Sequence, residues 1–418
     1  MSGADRSIRV AMVGHGFMGA AHSVAWRTAP VVADLPCSIE RAVLVGRDAE
    51  RTAQAADRLG WDESTTDWRS VIARDDIDLV DICTPGSSHV DLAVAALEAG
   101  KHVLCEKPLA NTVEEAERMA AAAASAAAGG TVAMVGFSYR RVPALRLARD
   151  LVRAGRIGAV RQIRATYDQD WLADPEGPMT WRLDRAQAGS GALGDIGAHA
   201  IDAVEYITGA AVERVSGFLH TFTTERPVMA QSVGLGGRAE VGADRAPVTV
   251  DDLSLITARL SDGSIGQFGA SRVASGRRNA LRIEISGTGG GVAFDLERLN
   301  ELQFHDASLP SAEQGFRQIL VTEPNHPWLD LWWPAGHVLG WEHAFTHQVI
   351  DLVTAIADGV QPEPSFADGL HIQRVLDSVE RSAGADGTWV DVPAGPPEDY
   401  LGTDGLDAHE VVDEGAWS

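Results

Sequence analysis

Three observations predict a two-part α/β fold. Over residues 8–137 of the 418-residue chain, short apolar runs alternate regularly with helical patterns, as in a parallel, doubly wound sheet. A glycine-rich turn, Gly14-His-Gly-Phe-Met-Gly19, joins the first run to the first helix. From residue 138 onward the pattern changes to alternating runs separated by turn residues, which reads as an α+β domain with a mostly antiparallel sheet. The expected division is a Rossmann domain at residues 1–137, an α+β domain at 138–393 and an acidic, mobile tail at 394–418.

The first strand, residues 8–13, runs into the glycine turn, and residues 20–27 read as a helix. This is G-x-G-x-x-G in its required setting of strand, tight turn and helix. The glycines let backbone approach a pyrophosphate, and the helix N-terminus supplies N–H groups and a positive dipole end. Gly14, Gly16, Phe17, Met18 and Gly19 are therefore candidate cofactor contacts. A second strand at 42–45 ends in Gly46-Arg47-Asp48, followed by a helix at 49–59 closed by Gly60. An acid at that strand end holds the ribose hydroxyls of NAD, whereas an arginine accommodates the 2′-phosphate of NADP. Gly46 stands in the acid's place with Arg47 next, which leans to NADP, while Asp48 keeps NAD open. The expected cofactor is NAD or NADP.

The alternation continues with a helix at 68–73, a strand at 79–84, a helix at 90–99 and a strand at 102–105. Thr112-Val-Glu-Glu115 is a capping box opening an alanine-rich helix that ends at Gly129-Gly130, and residues 131–137 form one more strand. Ligands of such sheets bind at the carboxyl ends of the strands, so Thr84, Pro85, His89 and Glu106-Lys107-Pro108 join the glycine turn and residues 46–48 on one edge. Lys107 there can offer a fixed positive charge to a developing alkoxide; the plainer alternative is a solvated lysine in a surface turn. The Lys107–Pro108 bond is a candidate for the cis form.

Beyond a helix at 144–153, alternating runs occur at 161–168, 212–223, 253–260, 265–271, 281–286 and 291–296. Helices from Asp195 and from His337 onward are expected to cover one face of this sheet, and residues 229–247, rich in glycine and alanine, read as an inserted loop. The stretch Gly189-Ser-Gly-Ala-Leu-Gly-Asp-Ile-Gly-Ala-His-Ala-Ile-Asp202 runs from glycines into a helix that stops at Thr208-Gly209. Asp195 and His199, four residues apart, share a helix face. In the plainer alternative Asp195 serves the helix N-terminus and His199 is a core histidine.

Composition excludes several classes of function. A net charge of -24 with no basic stripe excludes nucleic acid and anionic membrane as partners. No apolar stretch approaches the length of a membrane span, and the polar N-terminus lacks a signal-peptide pattern. Cys37, Cys83 and Cys105 lack metal-ligand spacing and read as buried thiols of a reducing cytoplasm. His343 and His347 share an i,i+4 spacing without the His-Glu-x-x-His order, so no metal is expected. Trp328, Trp332, Trp333 and Trp341 suit a core or subunit contact better than a lid.

In combination, His15-Gly-Phe-Met-Gly19, Gly100-Lys-His-Val-Leu-Cys-Glu-Lys-Pro-Leu109 and Gly194-Asp-Ile-Gly-Ala-His-Ala-Ile-Asp202 resemble, in order, the Gfo/Idh/MocA oxidoreductases, over most of the chain up to residue 392. Thr166-Tyr-Asp-Gln-Asp-Trp171, Trp181-Arg182 with Ala188-Gly-Ser-Gly-Ala-Leu193, and Pro364-Ser-Phe-Ala-Asp-Gly369 look like the levoglucosan and inositol dehydrogenase branch. The resemblance implies oxidation of a ring hydroxyl of a sugar, anhydrosugar or cyclitol, with Lys107, Asp195 and His199 as catalytic lysine, aspartate and histidine. It also implies a homo-oligomer, dimer or tetramer, packed through the C-terminal sheet. Inositol-type members often end the second strand with an acid, and Gly46 departs from that pattern.

The chemistry agrees with this reading. Oxidising a secondary alcohol needs a base for the hydroxyl proton, and His199 is the best-matched residue. Lys107 would favour the alkoxide, and Asp195 would orient His199 or a neighbouring hydroxyl. Tyr139, Arg140, Asp170, Trp171, Trp181 and Arg182 offer the mixture of aromatic faces and charges that suits a polyol. Two rival functions use the same residues or fold: a glycoside hydrolase or lyase that oxidises its substrate transiently, and a non-catalytic sugar-sensing or scaffold protein.

Overall fold

A computed structural model of the chain describes residues 7–229 and 241–394. Its first half holds six parallel strands: β1 (Ser7–Val13), β2 (Ser38–Val45), β3 (Glu63–Thr65), β4 (Leu79–Ile82), β5 (His102–Cys105) and β6 (Ala133–Val135). They are joined through α1 (Phe17–Val32), α2 (Ala49–Leu59), α3 (Trp68–Ile72), α4 (His89–Glu98) and α5 (Val113–Ala127). The spatial order is β3-β2-β1-β4-β5-β6. The chain therefore reverses its direction of winding between β1 and β4, the crevice where doubly wound sheets take their ligands. Residues of β4 and β5 are almost wholly buried on both faces, which is why these strands read as continuous apolar runs.

After α6 (Pro143–Arg153) and β7 (Val160–Asp168) come the short α7 (Arg185–Ala188), α8 (Ala198–Thr208), β8 (Val212–His220), β9 (Glu225–Met229), β10 (Val241–Pro247), β11 (Leu253–Leu260), β12 (Ile265–Ser271), β13 (Ala280–Gly287), β14 (Gly290–Asp295), β15 (Glu301–Asp306) and β16 (Arg317–Leu320). The chain then closes with α9 (His343–Asp358), α10 (Phe366–Ala383) and β17 (Val390–Asp391). Nine of these strands form one sheet in the order β16-β15-β14-β13-β7-β12-β11-β8-β17. Every pairing is antiparallel except β12 with β7. α8 contacts β7, β12 and β13, and its Ile201 and Val204 share one buried core with Ile163, Ala165, Ala270 and Ile283, so the helix that carries His199 lies on the buried face of this sheet.

Two expectations need correction. Residues 229–247 do not read out as a loop at their ends: β9 and β10 pair as an antiparallel ribbon, and residues 230–240 lie outside the described residues. The helix beginning at His343 does not cover the antiparallel sheet. Its apolar stripe, Phe345, Val349, Leu352, Val353 and Ile356, packs with Val10, Met12, Trp26, Leu44 and Leu79 of the first half. That stripe repeats at helical spacing and fits the face of the parallel sheet beside α1, which α1 alone leaves open. The expected tail lies outside the described residues beyond residue 394. No helix among the described residues is long and apolar enough to cross a membrane.

Candidate active site

The glycine turn has the geometry of a phosphate cradle. Gly14 adopts φ 101°, and a Cβ there would stand 2.7 Å from the Cys83 carbonyl oxygen. A Cβ on Gly19 would stand 2.2 Å from the Gly14 carbonyl oxygen, so helix and turn can close only on glycine. Gly16, by contrast, faces open space within 4 Å of where its Cβ would be. Gly16 is also the N-cap of α1 and provides no side-chain cap, which leaves the first-turn N–H groups for an anion. Phe17 and Met18 open that helix, Phe17 being half exposed and stacked on Trp341 at 5.4 Å. These residues fit a dinucleotide pyrophosphate.

At the end of β2, a Cβ on Gly46 would meet Thr52 Oγ1 at 2.2 Å and His15 Nε2 at 2.5 Å, so a side chain there would have to displace those two. Asp48 accepts a hydrogen bond from the Arg51 N–H and caps α2, and Arg47 beside it is exposed. Thr84 Oγ1 accepts from the Ser88 hydroxyl at 2.7 Å, and Pro85 enters the turn that holds it.

Two of the expected cofactor contacts brace the fold. His89 is buried, with Nε2 2.9 Å from the Thr84 carbonyl and Nδ1 3.1 Å from that of Pro108. It ties the turn after β4 to the turn after β5. Glu106 also turns inward, its Oε1 lying 3.0 Å from His22 Nε2. The other nitrogen of His22 lies 3.0 Å from the Asp81 carboxylate, which also accepts the Trp26 indole N–H at 2.7 Å. Burial pushes the His22 pKa down, but Asp81 and Cys83 together outweigh it and the net shift is well above the ordinary value. The sequence signal for this network was Asp81, an acid in the middle of the apolar run of β4.

The brace presents Lys107. Its bond to Pro108 is cis, and its ammonium donates to the Asp195 backbone carbonyl at 2.6 Å while lying 3.5 Å from Asp195 Oδ1. Asp195 sits in a π-helical turn, Leu193–Gly197, and the α-helix proper begins at Ala198. This differs from the expected plain helix, and π-turns of this kind often mark functional sites. Asp251 braces the start of this turn: its carboxylate accepts the Gly191 N–H at 2.7 Å and the Leu193 N–H at 2.8 Å. A Cβ on Gly191 would fall 1.9 Å from the Asp251 carbonyl oxygen. Asp251, not Asp195, therefore serves this helix start. Asp195 Oδ2 instead lies 3.7 Å from Nη1 of Arg272, whose side chain is 0% exposed. Burial pushes the Asp195 carboxyl up, but Lys107, Arg272 and Arg182 outweigh it and its pKa falls below the ordinary value.

His199 is 8% exposed and lies among Tyr139, Tyr167 and Phe137, with ring centroids at 4.6, 6.0 and 5.8 Å. Its Nδ1 is buried without a hydrogen-bond partner. Burial and then the Lys107 charge push its pKa well below the ordinary value, against the pull of Asp195. At neutral pH the ring is therefore unprotonated. Tyr139 and Tyr167 share a hydrogen bond of 2.7 Å, and the Trp341 indole donates to Tyr139 at 3.2 Å.

The remaining pocket candidates divide. Arg140 is buried and donates to both Asp202 oxygens, an internal ion pair. Asp170 accepts from Arg278 at 3.0 Å and from the Gly276 N–H at 3.2 Å, bracing that turn. Tyr139, Trp171 and Arg182 stay near the cluster: Tyr139 beside His199, Trp171 under the Arg272 guanidinium at 5.6 Å, and Arg182 within electrostatic reach of Asp195. Trp181 lies under the guanidinium of Arg182 at 4.4 Å. His347 is held at both nitrogens, by the Trp332 indole at 2.7 Å and the Arg141 carbonyl at 2.9 Å, and its pKa is pushed down to about 3 by burial. Arg272 and Asp251 were missed in the sequence because each sits in an ordinary-looking strand end or loop.

Comparison with known proteins adds an independent line. Residues 8–137 match the family described as an oxidoreductase family with NAD-binding Rossmann fold, and residues 145–293 match the GFO/IDH/MocA C-terminal domain. The levoglucosan dehydrogenase of Pseudarthrobacter phenanthrenivorans is 40% identical over 391 residues, covering 93% of this chain and 99% of that protein. The crystal structure of an oxidoreductase domain protein from Kribbella flavida is 57% identical, with a TM-score of 0.88 over 93% of this chain and 100% of its own. Levoglucosan dehydrogenase in complex with NADH and levoglucosan is 41% identical, with a TM-score of 0.86 over 93% of this chain and 100% of its own.

Proposed function

This chain belongs to the Gfo/Idh/MocA oxidoreductase family, and from that premise we propose that it is a dehydrogenase of a ring hydroxyl in a sugar, anhydrosugar or cyclitol. It is an NAD(P)-dependent oxidoreductase with the family's two-domain architecture. The observation that carries the finer reading is the convergence of Lys107, Asp195 and an unpartnered, unprotonated His199 at the edge that bears the glycine cradle.

A bound nicotinamide supplies the acceptor for the carbinol hydride. His199 takes the hydroxyl proton, a role open to it because burial keeps the ring neutral. Lys107 stabilises negative charge on the same oxygen, and its low exposure strengthens that interaction. Asp195 holds Lys107 in place and offsets its charge in the resting site. Trp171 and Tyr139 supply aromatic surface for the C–H faces of a polyol, and Arg182 supplies charge for its hydroxyls. Gly16 and the first turn of α1 would hold the pyrophosphate of a bound dinucleotide, and Arg47 would serve its ribose end. We further place the protein in the cytoplasm, as a homo-oligomer built on the C-terminal sheet. That sheet leaves Phe218 and Leu255 at least half exposed.

The test incubates the protein with levoglucosan, myo-inositol, aldoses and aryl glycosides, with NAD and NADP in separate wells, and follows both reduced cofactor and released aglycone. Reduced cofactor accumulating with an anhydrosugar or cyclitol is the expected result. Aglycone released without it would replace this reading by the transient-redox hydrolase, and cofactor binding with no turnover of any sugar would leave the scaffold.

A further inference from the structure

The Asp195 carboxylate is held between two cations that reach it from opposite halves of the chain. Lys107 Nζ lies 3.5 Å from Oδ1, on the turn after β5, and Arg272 Nη1 lies 3.7 Å from Oδ2, just past the end of β12. Nothing in the family motifs points to Arg272, yet it is the most completely sequestered charge near the site, with 0% side-chain exposure and an Nε that finds no partner. A guanidinium out of water must be surrounded by anions or carbonyl oxygens. Among the described residues, Asp195 is the only carboxylate within ion-pair reach of it. The rest of its shell is the Asp251 carbonyl at 2.9 Å, the Arg182 carbonyl at 3.3 Å and the Trp171 ring at 5.6 Å.

These partners form one mechanical unit. Asp251 clamps the first N–H groups of the turn that carries Asp195, and Arg272 grips the backbone of Asp251 while facing Asp195 itself. Arg182 and Trp171, two of the residues near the pocket, are tied to the same guanidinium.

We infer that Arg272 is a positioning residue: it fixes the Asp195 carboxylate in register with Lys107, so that Lys107 faces the substrate oxygen rather than folding fully onto Asp195. The inference rests on the proposed role of Asp195 in the reaction. The groups that face Asp195 are Lys107 from the turn after β5, Arg272 from the end of β12, Arg182 from the turn before α7, His199 from α8 and Tyr167 from β7. Burial raises the pKa of Asp195 against the combined pull of the cations, so removing one of them moves the pKa up.

A double-mutant cycle tests this on the full-length protein with NAD(P) and the best substrate of the panel. It combines Arg272→Met with Asp195→Asn, and reads kcat and KM across pH per amount of folded protein by circular dichroism. Arg272→Met should lower kcat/KM by about 100-fold and move its acid limb to higher pH. In the Asp195→Asn background the same change should cost less than about threefold. Arg272→Lys, which keeps the charge, should recover most of the rate at the wild-type pH profile. An equal loss in both backgrounds with an unmoved pH profile would make Arg272 a plain brace and overturn the inference. If Arg272→Met does not fold, Arg272→Lys in the two backgrounds decides by the same comparison, a loss that vanishes with Asp195→Asn being the expected result and an equal loss overturning it. Asp195→Asn with undiminished turnover would overturn the underlying role of Asp195, and with it the reason for positioning it.

Discussion

Two buried histidines stand at the heart of this molecule and are treated in opposite ways. His22, in the first half, has a carboxylate within 3.0 Å of each ring nitrogen and a pKa well above the ordinary value. His199, in the second, has no partner on Nδ1, lies among aromatic rings, and has a pKa well below it. Both are buried, so burial alone does not separate them. The difference lies in what neighbours do with the charge: Asp81 and Glu106 saturate His22 and lock it, whereas Lys107 repels a proton from His199 and leaves it reactive. A buried polar group with every site satisfied is architecture, and one left unsatisfied is a candidate for chemistry.

The sharpest way to break this contrast is His199→Ala, which should lower turnover by roughly a thousandfold or more while cofactor still binds, as measured by steady-state kinetics beside a cofactor titration. Normal turnover would remove His199 from the reaction. Lys107→Met should follow with a loss on the order of 100-fold, concentrated in kcat, because the charge acts on the developing alkoxide more than on the bound alcohol. A change confined to KM would reassign Lys107 to ground-state binding.

His22→Ala should act on folding instead. Breaking a buried, paired charge costs about 3–5 kcal/mol, to be read from urea unfolding of the variant. The pH dependence distinguishes the two histidines further. The stabilisation from His22 is fully present below the unfolded value near 6.5 and is lost as pH rises through its raised folded value, so the gap between wild type and His22→Ala should narrow at alkaline pH. For His199 the sign reverses, and wild type should lose stability relative to His199→Ala as pH falls below 6.5. Parallel slopes would refute the contrast. The smallest expected effect is at the ribose: Arg47→Ala should weaken NADP by about tenfold and leave NAD nearly unchanged, as judged by titration with each cofactor.

The dinucleotide edge was legible because its chemistry is written in consecutive residues. Gly14 and Gly19 each meet a local steric demand that no other residue satisfies, and strand, turn and helix follow one another in sequence. The Asp195–His199 stretch was legible in part. Its glycines announced a tight approach, but the surface that Gly191 approaches is Asp251, far along the chain, and the π-turn has no pattern of its own. Arg272, Asp251 and His22 escaped because a lone charge in a strand end or helix looks like any solvated residue until tertiary packing seals it. The ion pair of Arg140 escaped in the same way: Arg140 follows the last parallel strand, but only the fold brings Asp202 against it.

The seat of α9 on the parallel sheet has a consequence for how the chain is made. Phe345, Val349 and Leu352 cover apolar residues of β1, β2 and β4, strands that leave the ribosome long before them. Val135 in β6 likewise donates its N–H to the Pro364 carbonyl at 2.9 Å. During synthesis the nascent dinucleotide-binding half therefore has an apolar face still open to water and an edge strand still short of a partner, until the last helices emerge. A chain truncated before α9 should need chaperone protection and should aggregate rather than accumulate as a working cofactor-binding module.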